Sequence, residues 1–195
     1  MEVSMKLKRF IISLFALSVT ISFAACSSEQ KKEDSPVVKA FGSGVACVEG
    51  DCLNGKGKIK FPTGEEYNGD FKNNKIEGAG VILWPSGAKY EGTFQENQKS
   101  GQGIYTYPNG DVYSGEFKDN KRNGKGEYKW KNGDAYSGQW KDGLMDGEGT
   151  YTWAEGVKYT GQWKEGKLNG KGSIIWPDKT RVDGIFENNR LVSEQ

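Results

Sequence analysis

Tyr67, Tyr90, Tyr113, Tyr136 and Tyr159 stand 23 residues apart, each to the next. A fixed period of this length means that the chain folds as an array of one repeated unit. Two residues after each tyrosine comes a glycine: Gly69, Gly92, Gly115, Gly138 and Gly161. Two further on comes Phe71, Phe94, Phe117, Trp140 or Trp163. Paired glycines follow, from Gly78/Gly80 to Gly170/Gly172, and then a second aromatic: Trp84, Tyr107, Trp130, Trp153 or Trp176. A partial sixth copy begins with Val182, Gly184 and Phe186. Half a copy, with Gly55, Gly57, Phe61 and Gly64, precedes the first.

Each copy predicts a β-hairpin. In Tyr136–Lys141 apolar or small residues alternate with polar ones, the period of a strand whose side chains point to opposite faces. A turn follows at Gly143, the position held by Asn74, Asn97, Asn120 and Gly166 elsewhere; Asn and Gly tolerate positive φ. The second strand runs from Gly147 to Trp153 and places Gly147, Gly149, Tyr151 and Trp153 on one face. Pro85–Gly87, Pro108–Gly110 and Asn132–Gly133 mark the next turn. Helix is a poor alternative, because glycine at this density costs about 1 kcal/mol per position relative to alanine.

The expected fold is all-β: an elongated, single-layer, twisted antiparallel sheet of tandem 23-residue hairpins. One face carries rings spread over glycine gaps, and the other is polar, with Ser137, Gln139, Lys141, Glu148, Thr150 and Thr152. About a dozen strands at ~4.8 Å spacing predict a body roughly 55–60 Å long. The end units differ from the middle, as caps of an array do. Val81, Leu83 and Ile175 fall on the polar face and call for apolar cover. Phe41, Val45 and Val48 at one end, and Leu191 and Val192 at the other, are the candidates.

The pattern Tyr-x-Gly-x-Trp/Phe followed by Gly-x-Gly, as in Tyr159–Gly172, resembles the MORN (membrane occupation and recognition nexus) repeat. The resemblance covers about residues 44–186. Val182 in place of the leading Tyr, and Lys179 in place of the late Gly, depart from it at the C-terminal end. It implies a scaffold, a dimerisation module or an accessory domain, and the family name implies membrane contact. A fold of this kind does not by itself set a function.

The N-terminus supplies an expected address. Lys6, Lys8 and Arg9 precede an apolar run from Phe10 to Phe23, a charged region followed by an apolar one of secretory-signal length. The run is short for a spanning helix. It ends in Phe23-Ala24-Ala25-Cys26, which resembles a bacterial lipoprotein signal. The resemblance implies cleavage before Cys26, diacylation of its thiol and palmitate-type anchoring in the cell envelope. The alternative is an ordinary signal cut nearby, with Cys26 incidental. Ser27 lacks the Asp that in many lipoproteins signals inner-membrane retention, which favours the outer membrane if the host has one. The stretch that follows, from Ser27 to Pro36, is polar and charged and predicts a disordered tether.

The expected organisation is therefore a signal peptide at 1–25, a lipidated cysteine and tether at 26–40, and a cap with half a repeat at 41–66. Five full repeats occupy 67–181, and a truncated repeat with a cap occupies 182–195. Cys47 and Cys52 bracket four residues that include Gly50 and Asp51. A disulfide between them suits an oxidising compartment. The rival is a metal site, which needs about four ligands in a chain without histidine.

Charge and composition narrow the chemistry. The chain has 27 basic and 26 acidic residues. Without residues 1–25, which hold Glu2, Lys6, Lys8 and Arg9, 24 basic and 25 acidic side chains remain, for a net charge of −1. Nucleic-acid binding calls for a strong basic footprint, and none is present. The lysine column Lys72, Lys118, Lys141, Lys164 is largely cancelled by the acid column Glu96, Asp119, Asp142, Glu165. The absence of histidine removes Ser-His and Cys-His nucleophile pairs. A glycine-rich phosphate loop needs a following helix, which the period leaves no room for. Asp142, Asp146 and Glu148 fall at turn and solvent-face positions, where charge is ordinary.

No enzyme activity, cofactor or metal is therefore expected. The expected role is a lipid-anchored envelope scaffold with a protein partner or with itself as partner. The candidate interaction face is Tyr90, Tyr113, Trp130, Tyr136, Trp140, Trp153 and Trp163, since exposed apolar area marks contact sites. The alternatives are contact of the sheet with anionic membrane and stacking of cell-wall glycan on the aromatic row.

Overall fold

A computed structural model describes residues 45–194. They form 14 strands in one sheet, in chain order: β1 (Ala46–Gly50), β2 (Lys56–Lys60), β3 (Glu66–Lys72), β4 (Lys75–Leu83), β5 (Lys89–Gln95), β6 (Gln98–Thr106), β7 (Val112–Lys118), β8 (Lys121–Lys129), β9 (Ala135–Lys141), β10 (Leu144–Thr152), β11 (Lys158–Lys164), β12 (Lys167–Ile175), β13 (Arg181–Glu187) and β14 (Arg190–Glu194). Every strand pairs antiparallel with the strands before and after it, and the sheet does not close on itself. The fold is the expected one, with β1 and β14 as extra strands at the two ends.

Two turn types alternate. Within a repeat, Glu96 and Asn97 both have positive φ (50° and 68°), as do Asp119 and Asn120, and Asp142 and Gly143. Two consecutive left-handed residues make the type I′ turn that matches strand twist. These turns also stack from repeat to repeat. The Asn97 amide donates to the Ile76 carbonyl at 3.0 Å, and the Gly143 amide to that of Arg122 at 2.9 Å. The Asn97 side chain accepts the Ile76 amide at 2.7 Å. Between repeats the Gly87 amide donates to the Trp84 carbonyl at 2.9 Å. Lys179 takes the conformation of the glycine it replaces, with φ 66°.

The glycines seat tyrosines. A Cβ on Gly149 would lie 2.3 Å from the Tyr136 hydroxyl and 2.5 Å from its ring, and one on Gly172 would meet Tyr159 in the same way. With its ring laid across a glycine pair, each tyrosine donates to the carbonyl three residues on: Tyr90 to Thr93 at 2.9 Å and Tyr136 to Gln139 at 3.0 Å. Across that point the long second strand bulges, with two residues more than its partner between Gly138/Gly149 and Trp140/Met145. The side chain of Gln139 accepts the Glu148 amide in the bulge at 2.9 Å, and Glu116 serves Lys125 likewise. The hydrogen bond that the ladder loses is thus remade by a side chain.

The cap expectation is corrected at both ends. Val45 and Leu191 pack against the aromatic core instead of covering the polar face, and Val48 and Val192 are both exposed. Leu83 stays 48% exposed. The reason is parity: Cys47 pairs with Ile59 and Phe186 with Leu191, so Val45 and Leu191 fall on the aromatic side, whereas Val48 and Val192, one residue on from Cys47 and Leu191, do not. Phe41 lies outside the described residues.

Candidate functional site

Two ladders of rings run along the aromatic face. One is a zigzag of edge-to-face contacts. Tyr90 meets Phe94 and Phe117 at 5.1 and 5.0 Å, Tyr113 meets Phe117 and Trp140, and Tyr136 meets Trp140 and Trp163. The other is a row of tilted rings. It passes from Trp84 through Tyr105, Tyr107, Tyr128, Trp130 and Tyr151 to Trp153 at centroid spacings of 4.5–5.5 Å. Each pair adds about 0.5–1.5 kcal/mol beyond the area it buries.

The rings of the candidate face are largely closed off. Tyr90, Tyr113 and Tyr136 are 0% exposed, and Trp140, Trp153 and Trp163 are buried; Trp130 alone of the seven candidates is half-buried. The rings cover one another because the repeat tyrosines lie across glycine pairs while Phe117, Trp140 and Trp163 stand edge-to-face against them. Burial pushes the phenols of Tyr90, Tyr113, Tyr136 and Tyr159 well above the ordinary tyrosine value. For Tyr151 the Asp134 carboxylate adds to the burial effect.

Between the ladders runs a third column, one side chain per repeat: Ile76, Lys99, Arg122, Met145, Leu168. Each pairs across its hairpin with an aromatic, Phe94 with Lys99 and Phe117 with Arg122. Lys99 is 4% exposed and Arg122 3%. The Lys99 ammonium lies 4.8 Å from the Tyr105 centroid and 5.6 Å from that of Tyr90, one ring from each ladder. The Arg122 guanidinium sits 4.2 Å from the Trp140 centroid and 5.0 Å from that of Tyr128. It also donates to the Gly143 carbonyl at 2.6 Å. Desolvated cation–π contacts contribute about 2 kcal/mol or more.

The same central repeats bury two acids in their turns. Asp111 accepts the Tyr128 hydroxyl at 2.8 Å and the Lys131 amide at 2.8 Å. Asp134 does the same for Tyr151 at 2.7 Å and for Ala154 at 2.8 Å. Neighbouring repeats hold Ala88 and Val157 there. Sequence reading missed these four charged residues because it searched for what the copies share. The signal lay in the departures, a Lys and an Arg in an otherwise aliphatic column.

On the opposite face, Leu83 and Ile104 are 48% and 47% exposed. Val81 and Ile104 flank Glu91 on the same line across β4, β5 and β6, and Leu83 is paired with Lys89. The Lys89–Glu91 ion pair, 2.7 Å, thus lies amid apolar neighbours. Farther along, a shallow groove of about 550 Å³ passes over Ser114, Ser137 and Gln139 beside Lys125 and Glu148. At the N-terminal end Cys47 and Cys52 form a disulfide. The metal reading of this pair is thereby replaced. Cys26 lies outside the described residues. Among the described residues no helix is long and apolar enough to cross a membrane.

The spacing of rings and glycines is matched by the MORN-repeat family model at 67–89, 90–112, 113–135, 136–158 and 159–181, well over half of the chain. The chain belongs to the MORN-repeat family. Among curated proteins, none matches it significantly. Solved structures of similar shape include the TCP domain of Drosophila melanogaster SAS-4 (dCPAP), in complex with a proline-rich motif of Ana2 (dSTIL). It is 12% identical, covers 78% of this MORN chain and 87% of its own, and has a TM-score of 0.49. The G-box domain of the microcephaly protein CPAP is 16% identical, with 73% and 93% covered and a TM-score of 0.39. The TCP10 domain of Danio rerio CPAP is 12% identical, with 72% of each chain covered and a TM-score of 0.29.

Proposed function

We propose that this MORN protein is a non-catalytic protein-interaction scaffold of the bacterial cell envelope, anchored by lipid on Cys26. In this reading it presents the patch around Leu83 and Ile104 to a protein partner. The observation that carries it is the contrast between the two faces. The aromatic face spends its rings on internal packing, while the polar face leaves two large aliphatic side chains about half exposed on adjacent hairpins. Apolar area rimmed by polar groups is what protein contact sites use. A saccharide would find only Trp84 and Trp130 with ring surface to stack on among the tryptophans of the described residues.

Crosslinking in intact cells tests this reading. Leu83→Asp combined with Ile104→Asp should lower the yield of the crosslinked partner at least tenfold. The same change should leave the unfolding transition cooperative, at a cost of about 1–2 kcal/mol from placing Asp in two strands and opposite Glu91. An unchanged crosslink pattern removes the patch from the proposal. In the same cells Cys26→Ser should move the protein out of the membrane fraction, and its retention there would refute the anchor.

A further inference from the structure

Building on the reading of the Leu83–Ile104 patch as a contact surface, we infer that its partner is a second copy of this chain, the two sheets meeting face to face about a two-fold axis that crosses the strands. On the polar face two lines of side chains run from strand to strand. One joins Val81, Glu91, Ile104 and Ser114 on β4 to β7, and the next joins Leu83, Lys89, Thr106 and Val112. Leu83 and Ile104 are about half exposed, and Lys89 and Glu91 stand between them as an ion pair of 2.7 Å. Covering this patch strips water from both charges, which costs stability unless each gains a further partner.

The order of the charges selects what can cover them. The acid lies on the first line and the base on the second. The same order returns on these lines at Glu127 and Lys129 of β8, 3.1 Å apart, and at Asp183 and Arg181 of β13. A two-fold axis running across the strands, midway between the lines, exchanges the two lines. It sets Glu91 over the second copy's Lys89 and Lys89 over its Glu91, so the charges alternate and each gains a second opposite neighbour. The same operation sets Val81 over Leu83, Ile104 over the methyl group of Thr106, and Ser114 over Val112. An axis along β5 would instead stack Glu91 on Glu91 and Lys89 on Lys89. A surface in which one residue meets a second, and the second meets the first, is what a two-fold dimer requires. Side chains of this length fill the roughly 10 Å between packed sheets. The rotation of roughly 30° that sheet twist imposes on such packing confines the contact to β4–β8. On the other side β2 breaks the order, with Lys58 on one line and Lys60 on the other.

Charge swaps in the full chain, kept in mild detergent, test this register by sedimentation equilibrium. The wild-type chain should reach the mass of two copies as its concentration rises. Lys89→Glu sets like charges against one another across the two-fold, and so does Glu91→Lys. Each variant should weaken the pairing about tenfold or more. Mixed in equal amounts the two variants are complementary and should pair as tightly as the wild type, a rescue that a misfolded chain cannot give. Association that ignores both substitutions, or no recovery on mixing, overturns the inference. So does a wild-type chain that keeps the mass of one copy at every concentration. The contact reading survives that last result if a cellular crosslink to a different protein is still lost with Leu83→Asp and Ile104→Asp, and it falls as well if that crosslink is unchanged.

Discussion

Glycine does two separate jobs here, and the difference is measurable at single positions. Gly149 is a seat: a Cβ would enter the space of the Tyr136 ring, at 2.3 Å from its hydroxyl oxygen. The ring cannot yield, because it is wedged against Trp140 and Trp163 and tied to the Gln139 carbonyl. Gly149→Ala should therefore cost about 3 kcal/mol, at the upper end for overpacking. Gly166 is a turn residue with φ 78° and nothing within 4 Å of a built Cβ. Gly166→Ala should cost only the left-handed backbone penalty, about 1 kcal/mol. Gly166→Asn should be close to neutral, since Asn97 and Asn120 hold that conformation in sister repeats. Urea titration of the three variants checks the order, and equal losses for Gly149→Ala and Gly166→Ala would refute the distinction.

At the scale of the element, the 23-residue unit is two strands and two turns, and its integrity has a topological reason. Deleting 136–158 joins Ala135 to Tyr159, a junction of the same kind as the one removed. The product should fold cooperatively into a sheet about 10 Å shorter. Deleting 144–157 removes β10 with its following turn and leaves β9 and β11 running the same way without a crossover, which an antiparallel ladder cannot accept. That variant should lose the pairing across the junction, so that the β1–β8 part and the β11–β14 part unfold in separate transitions by circular dichroism instead of one. This logic was legible in the sequence, because the period, the alternation and the turn residues Asn97, Pro108 and Gly110 each constrain backbone geometry directly. The caps were not legible. Whether Val45 and Leu191 face the rings or the polar side depends on strand parity set by an irregular pairing at each end. The exposure of the rings was not legible either, since alternation places Tyr113 on a face without saying what Phe117 and Trp140 do above it. Lys99 and Arg122 were visible as letters, but their meaning came from the two ladders that enclose them.

Across the described residues the molecule is close to one-dimensional, since each strand there is paired only with its neighbours in sequence. In such an array stability is a sum of local units and interfaces, and damage at one end stays there. The Cys47–Cys52 disulfide is the place to test this. It joins residues five apart at the outermost hairpin, and a loop of that size contributes about 2 kcal/mol by restricting the unfolded chain. The segment that follows it is held independently. The Leu53 carbonyl accepts the Asn74 amide at 2.9 Å, and the Gly55 carbonyl accepts that of Phe71 at 2.7 Å. Reduction should therefore free β1 and stop at that boundary. Amide hydrogen exchange in Ala46–Gly50 should accelerate by about 30-fold, the equivalent of the lost 2 kcal/mol, while exchange in β7–β9 stays within about twofold. Loss of protection in β7–β9 as large as that in β1 would mean that the sheet unfolds as one indivisible body. Each repeat would then depend on the far end of the sheet as much as on its neighbour, and the edge-to-face ladder, which runs unbroken from Tyr67 to Phe186, would join the hydrogen-bonded sheet in transmitting that dependence.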